Sequence, residues 1–101
     1  PIFNNGGCAI LNTAVDADDG NDVLKQEVID TIQNWHQRIV SILKEGIEHN
    51  ELKNTDTEAF SYRMIALIEG SILIAKTLDK PEILLSNIDF LESEVNQLKT
   101  V

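Results

Sequence analysis

The stretch at 56–76, DTEAFSYRMIALIEGSILIAK, decides how the chain is read. Two apolar rows run through and just past it at spacings of three and four. Phe60, Met64, Leu67, Ser71, Ile74 and Leu78 form one; Ile65, Ile68, Ile72 and Ala75 form the other. Such spacing predicts a helix, and a helix apolar around most of its girth needs two packing partners. Its start is marked by Thr55-Asp56-Thr57-Glu58, which fits a capping box with Thr55 as cap and Glu58 reaching back. The run over 64–78 is interrupted by Glu69 and Lys76 and is too short to span a bilayer, so a buried helix with no membrane role is expected. Ala66, Gly70 and Ser71 are small residues inside it, and an interior glycine costs roughly 1 kcal/mol relative to alanine. Close approach of another helix, from a second subunit or from the same chain, would offset that cost.

Upstream, Leu24, Val28, Ile32, Trp35, Ile39, then Ile42 or Leu43, and Gly46 make one apolar stripe. They predict a long helix capped by Asn21 or Asp22 and running to about His49. Asn50 then takes the left-handed position past its end, unless Gly46 stops the helix earlier. Before it, Cys8, Leu11 and Val15, with Ile10 and Ala14 beside them, predict a short helix over roughly 8–18, opened by Gly6-Gly7 and closed by Asp18-Asp19-Gly20. Downstream, Asp79-Lys80-Pro81-Glu82 marks a boundary, with proline and glutamate both suited to a first helical turn. The last helix carries Leu84, Ile88, Leu91, Val95 and Leu98 as a pairing seam two heptads long. The expectation is one all-α domain over 1–101 with four helices, one short and three long.

The balance of charge narrows the function. Eight Lys and Arg against 17 Asp and Glu give a formal charge of −9, a surface that repels phosphate backbones. The single cysteine, Cys8, has no partner for an internal disulfide, and a reducing cytoplasmic setting follows. Pro1, Ile2 and Phe3 open the sequence with apolar residues that no earlier element covers, which reads as a piece of a longer chain.

No metal is expected, because Cys8, His36 and His49 show none of the spacings of zinc ligands. No cofactor and no catalysis are expected either, since a phosphate-cradling glycine loop, a nucleophile with a nearby base and a paired His-Glu helix motif are all missing. Glu45, Glu48 and Glu51 read as a solvated face. Trp35 falls on the apolar stripe and serves equally well as core or as the wall of a pocket. His36 sits off that stripe and reads as a partly exposed polar residue. Cys8 reads as a small apolar residue at a helix start, and Asn12 either contacts a ligand or satisfies backbone groups.

The order of these pieces resembles a known family. The opening "GGCxxxNxAxxAD", "NDVL" at the start of a long helix with a central Trp, "EGIEHNEL", "DTEAFSYRMIALIEGSILIAK" and a terminal amphipathic helix are similar to the C-terminal half of tetracycline-repressor-like (TetR) transcriptional regulators. The most specific parts are Gly7-Cys8 with Asn12 and the stretch at 67–76.

The resemblance implies an effector-binding and dimerisation domain of a bacterial-type repressor that a small ligand releases from operator DNA. It implies a homodimer whose last two helices pair with their copies in a four-helix bundle across 56–78 and Pro81–Leu98. The interface candidates are then Phe60, Met64, Leu67, Gly70, Ser71, Ile74, Leu84, Ile88, Leu91, Val95 and Leu98. It also implies a pocket for an apolar or aromatic effector, walled by 7–18 and 22–49, with Cys8, Leu11, Asn12, Val15, Ile32, Trp35, His36 and Ile39 as candidates. Operator DNA would be met only through an N-terminal helix-turn-helix domain outside this sequence. Two competing readings are a stand-alone helical dimerisation module without ligand and a small enzyme or carrier using the same pocket.

Overall fold

The structure, a computed structural model, describes residues 22–101. They form three helices, α1 (Asp22–Glu48), α2 (Thr57–Thr77) and α3 (Pro81–Leu98). These are the three long helices expected from the sequence. The short one expected over 8–18, the fourth of the count, lies outside the described residues.

Local chemistry sets each helix end. α1 runs through Gly46 and closes where Asn50 turns to a φ of 59°. The Asn50 N–H donates to the Ile47 carbonyl at 3.1 Å and the Glu51 N–H to the Gly46 carbonyl at 2.8 Å, the paired bonds of a Schellman closure. α2 ends the same way. Asp79 takes a φ of 53°, its N–H donates to Lys76 at 3.3 Å, and the Lys80 N–H donates to Ala75 at 2.8 Å. Asn and Asp fill these left-handed positions in place of glycine because their short polar side chains tolerate them best among other residues.

The start of α2 differs from the expected capping box. Asp56, one residue after Thr55, is the cap, and its Oδ1 accepts the Ala59 N–H at 3.1 Å. A carboxylate at this position satisfies a free N–H and meets the positive end of the helix dipole as well. Glu58 is thereby released from reaching back and turns to α1. α3 begins with Pro81 in its first turn, where the missing N–H costs nothing, and Glu82 follows.

α2 lies between the other two helices, which answers the need of its two apolar rows for two partners. Ile65 and Ala75 of one row are buried, as are Val40 and Leu43 of α1. Burying a side chain the size of Val, Leu or Ile stabilises the fold by about 1.5–3 kcal/mol. Leu43, at 5% exposure, continues the α1 stripe, and Ile42, at 65%, points away from it. Between α2 and α3, the Asn87 Nδ2–H donates to Ser71 Oγ at 2.7 Å, and Ser71 is fully enclosed.

The two chain segments at the α1–α2 turn and the end of α3 are stitched together. Leu52 and Lys99 form an antiparallel bridge. The Lys53 N–H donates to the Leu98 carbonyl at 2.7 Å, and the Thr100 N–H to the Glu51 carbonyl at 3.0 Å. Thr100 Oγ1–H adds a bond to the Asn50 carbonyl at 2.7 Å. Leu52 itself folds over Gly46, where a Cβ would sit 2.7 Å from Leu52 Cδ1. Glycine at 46 thus leaves room for the close approach of Leu52 and does not end the helix.

Candidate functional site

The polar centre of the fold is His36. Far from being partly exposed, its imidazole is inserted between α1 and α2 at 8% exposure. Its position off the α1 stripe had pointed outward, but α2 crosses on that flank and supplies polar partners. Nδ1 lies 2.7 Å from Ser61 Oγ, and Nε2 is paired with Glu58 Oε2. The ring stacks on Tyr62, with centroids 3.9 Å apart and planes 8° from parallel. Ser61 Oγ also lies 3.4 Å from the His36 carbonyl, a weaker contact. One arrangement that satisfies both ring nitrogens has the Ser61 hydroxyl donating to Nδ1, in place of the longer bond to the His36 carbonyl, and Nε2–H donating to Glu58. Every buried side-chain polar atom among the described residues has a partner.

A serine, a histidine and a glutamate in line invite comparison with a hydrolase triad. The geometry rejects it. Ser61 is wholly inaccessible at 0% exposure, so no substrate carbonyl can reach its Oγ. The cluster instead joins α1 to α2 across 25 residues of sequence and forms part of one wall of an open groove of ≈ 1110 Å³. Gln33, Gln37, Ser41 and Lys44 of α1 line the same groove. Sequence reading overlooked Glu58, Ser61 and Tyr62. Their spacing of three and four on an otherwise apolar helix was the available signal, since three polar or aromatic groups on one helix face call for a polar partner opposite.

The other candidates separate. Cys8, Leu11, Asn12 and Val15 lie outside the described residues. Ile32, Trp35 and Ile39 are half-buried on the flank of α1 away from the groove, so His36 is not grouped with them. Of the interface candidates, Phe60, Met64, Leu67, Leu91 and Leu98 line a smaller groove of ≈ 420 Å³ between α2 and α3 of the same chain. Leu84 and Val95 are half-buried, Ile74 and Ile88 are exposed, and Ser71 is spent on Asn87. A Cβ placed on Gly70 would meet nothing within 4 Å, so among the described residues no helix approaches it closely. Together with Ala66, Leu73 and Thr77, Gly70 forms a row of small and apolar residues along the outer side of α2.

Among the described residues no group of His, Cys, Asp and Glu is arranged to hold a metal ion, and no helix is long and apolar enough to cross a membrane.

Residues 3–90 match the tetracyclin repressor-like C-terminal domain family. Two solved structures are similar over nearly the whole chain. A TetR-family transcriptional regulator from Cytophaga hutchinsonii shares 30% identity with a TM-score of 0.87, over 99% of this chain and 55% of that one. A TetR transcriptional regulator from Chloroflexus aurantiacus shares 30% identity with a TM-score of 0.86, over 93% of this chain and 48% of that one. This chain thus spans about half the length of either protein. No curated protein matches it. With the sequence motifs, the helical order and both structural likenesses in agreement, the chain belongs to the tetracycline-repressor-like C-terminal domain family.

Proposed function

We propose that this chain is the effector-sensing and dimer-forming part of a TetR-type transcriptional regulator, acting in the cytoplasm on operator DNA through a separate DNA-binding domain. One observation carries the dimer. Among the described residues only four apolar side chains, Val40, Leu43, Ile65 and Ala75, are buried, whereas eleven large hydrophobic residues stay exposed. Leu73 and Ile74 stand among these on the outer side of α2, beside the uncovered Gly70. A second copy seated there would bury the row over 66–77 and bring two α2 helices close at the glycine, which gives the cost of an interior glycine its offset.

The effector is an apolar or aromatic small molecule, and its wall is the flank of α1 bearing Ile32, Trp35 and Ile39, with Cys8, Leu11, Asn12 and Val15 as further contacts implied by the family resemblance. The assignment is supported by family membership and by the half-buried state of the three α1 residues. His36, with both nitrogens engaged inside the chain, fixes the angle of α1 against α2 instead of meeting ligand. Control works by linkage: a ligand that favours a dimer with its DNA-binding heads misplaced lowers operator affinity by the same differential, so the parent protein is a repressor released by ligand.

The test is a thermal-shift screen of apolar and aromatic compounds. A true effector raises the melting temperature in proportion to its binding, and Trp35→Ala abolishes the rise. A panel without any shift would favour a dimerisation module with no ligand.

A further inference from the structure

We propose that residues 98–100 are a clasp that pins the C-terminal end of α1 and makes it the pivot of that helix. The observations lie at both ends of α1. At its C-terminal end the turn over 50–53 is held by three backbone and side-chain hydrogen bonds to 98–100, at 2.7, 3.0 and 2.7 Å, and Leu52 is folded onto Gly46. These bonds bypass α2 and link the end of α1 directly to the end of α3. His36, Val40 and Leu43, the three buried residues of α1, all lie in its C-terminal two thirds.

The N-terminal third is different. From Asp22 to Thr31 no residue is buried, and Val23 is 70% exposed. Opening a helix end locally costs less where few apolar side chains are packed. A helix gripped at one end and sparsely packed at the other moves by swinging, with its fulcrum at the clasp. The clasp thus confines displacement of α1, whatever drives it, to the end that leads back toward residue 21. This inference is about the mechanics of the chain and stands apart from the identity of any ligand.

Thr100→Pro tests it with little collateral change. The substitution removes both bonds that Thr100 donates. Lys99 already has φ −64° and ψ 138°, the conformation favoured before proline, so the preceding residue need not change. Hydrogen exchange followed by mass spectrometry is the readout. In the wild type, protection along α1 rises from Asp22 toward Glu48. In Thr100→Pro, exchange over 46–53 and in the last turn of α3 accelerates on the order of tenfold, while 61–75 of α2 is unchanged. Thr100→Val, which removes only the hydroxyl bond, gives a smaller acceleration over the same residues. Unchanged exchange over 46–53 in both variants would overturn the clasp, as would an equal loss across all three helices, which would make these bonds a general contribution to stability.

Discussion

His36 and Ser61 meet at 2.7 Å between α1 and α2, and through this contact a histidine outside the apolar stripe becomes a junction between the two helices. Glu58 takes its other nitrogen and Tyr62 covers its face. His36→Ala removes all three contacts, leaves a cavity and strips Ser61 of its strongest partner. The expected loss is about 2–4 kcal/mol in urea unfolding. Glu58→Gln keeps an acceptor for Nε2–H, and Glu58 is 61% exposed, so its loss stays below about 1 kcal/mol. Equal losses in the two variants would mean that the bond to Glu58, not the buried ring, holds the helices together.

Gly46 and Leu52 give a second prediction. Alanine in place of an interior helical glycine ordinarily stabilises by about 1 kcal/mol. Here the new Cβ would come within 2.7 Å of Leu52 Cδ1 and 2.9 Å of Cγ. Gly46→Ala should therefore show no stabilisation, whereas in a Leu52→Ala background it should recover most of that gain. A double-mutant cycle measures the coupling, expected at about 1 kcal/mol. A coupling of zero would show that Leu52 moves aside freely.

Asp56 is the cap of α2, and Asp56→Ala should cost about 1 kcal/mol. Thr55→Ala should cost less, because Thr55 makes no capping bond. Chemical denaturation of the two variants ranks them, and a larger loss at Thr55 would restore the capping box that the sequence had indicated.

Much of the fold was legible because helix ends are local. Asn50, Pro81 and the stripe from Leu24 to Leu43 each act on their own neighbours, and the helices stop and start where those residues direct. The capping box was misplaced by one residue because Thr55 and Asp56 are both good caps, and only the settled backbone chooses between them. His36 was misjudged for a different reason. Its environment is made by Glu58, Ser61 and Tyr62, more than twenty residues away, and the crossing of two helices is not written in either one's periodicity. The clasp was invisible for the same reason, since Glu51 and Thr100 carry no pattern that pairs them. From the seam of α3, Leu91 and Leu98 line a groove with Phe60 and Met64 of α2 in the same chain, an arrangement that periodicity within one helix does not encode.

The central claim is that the outer side of α2 is covered by a second copy. Sedimentation equilibrium of the chain, alone and with Gly70→Leu, addresses it most directly. A Cβ at 70 meets nothing within 4 Å in the single chain, whereas a leucine side chain there would collide with a closely approaching partner. The account predicts a wild-type mass of twice 11.3 kDa and, for Gly70→Leu, at least tenfold weaker self-association with unchanged helical content. A wild-type mass of 11.3 kDa at every concentration, or a Gly70→Leu dimer as tight as the wild type, would contradict it.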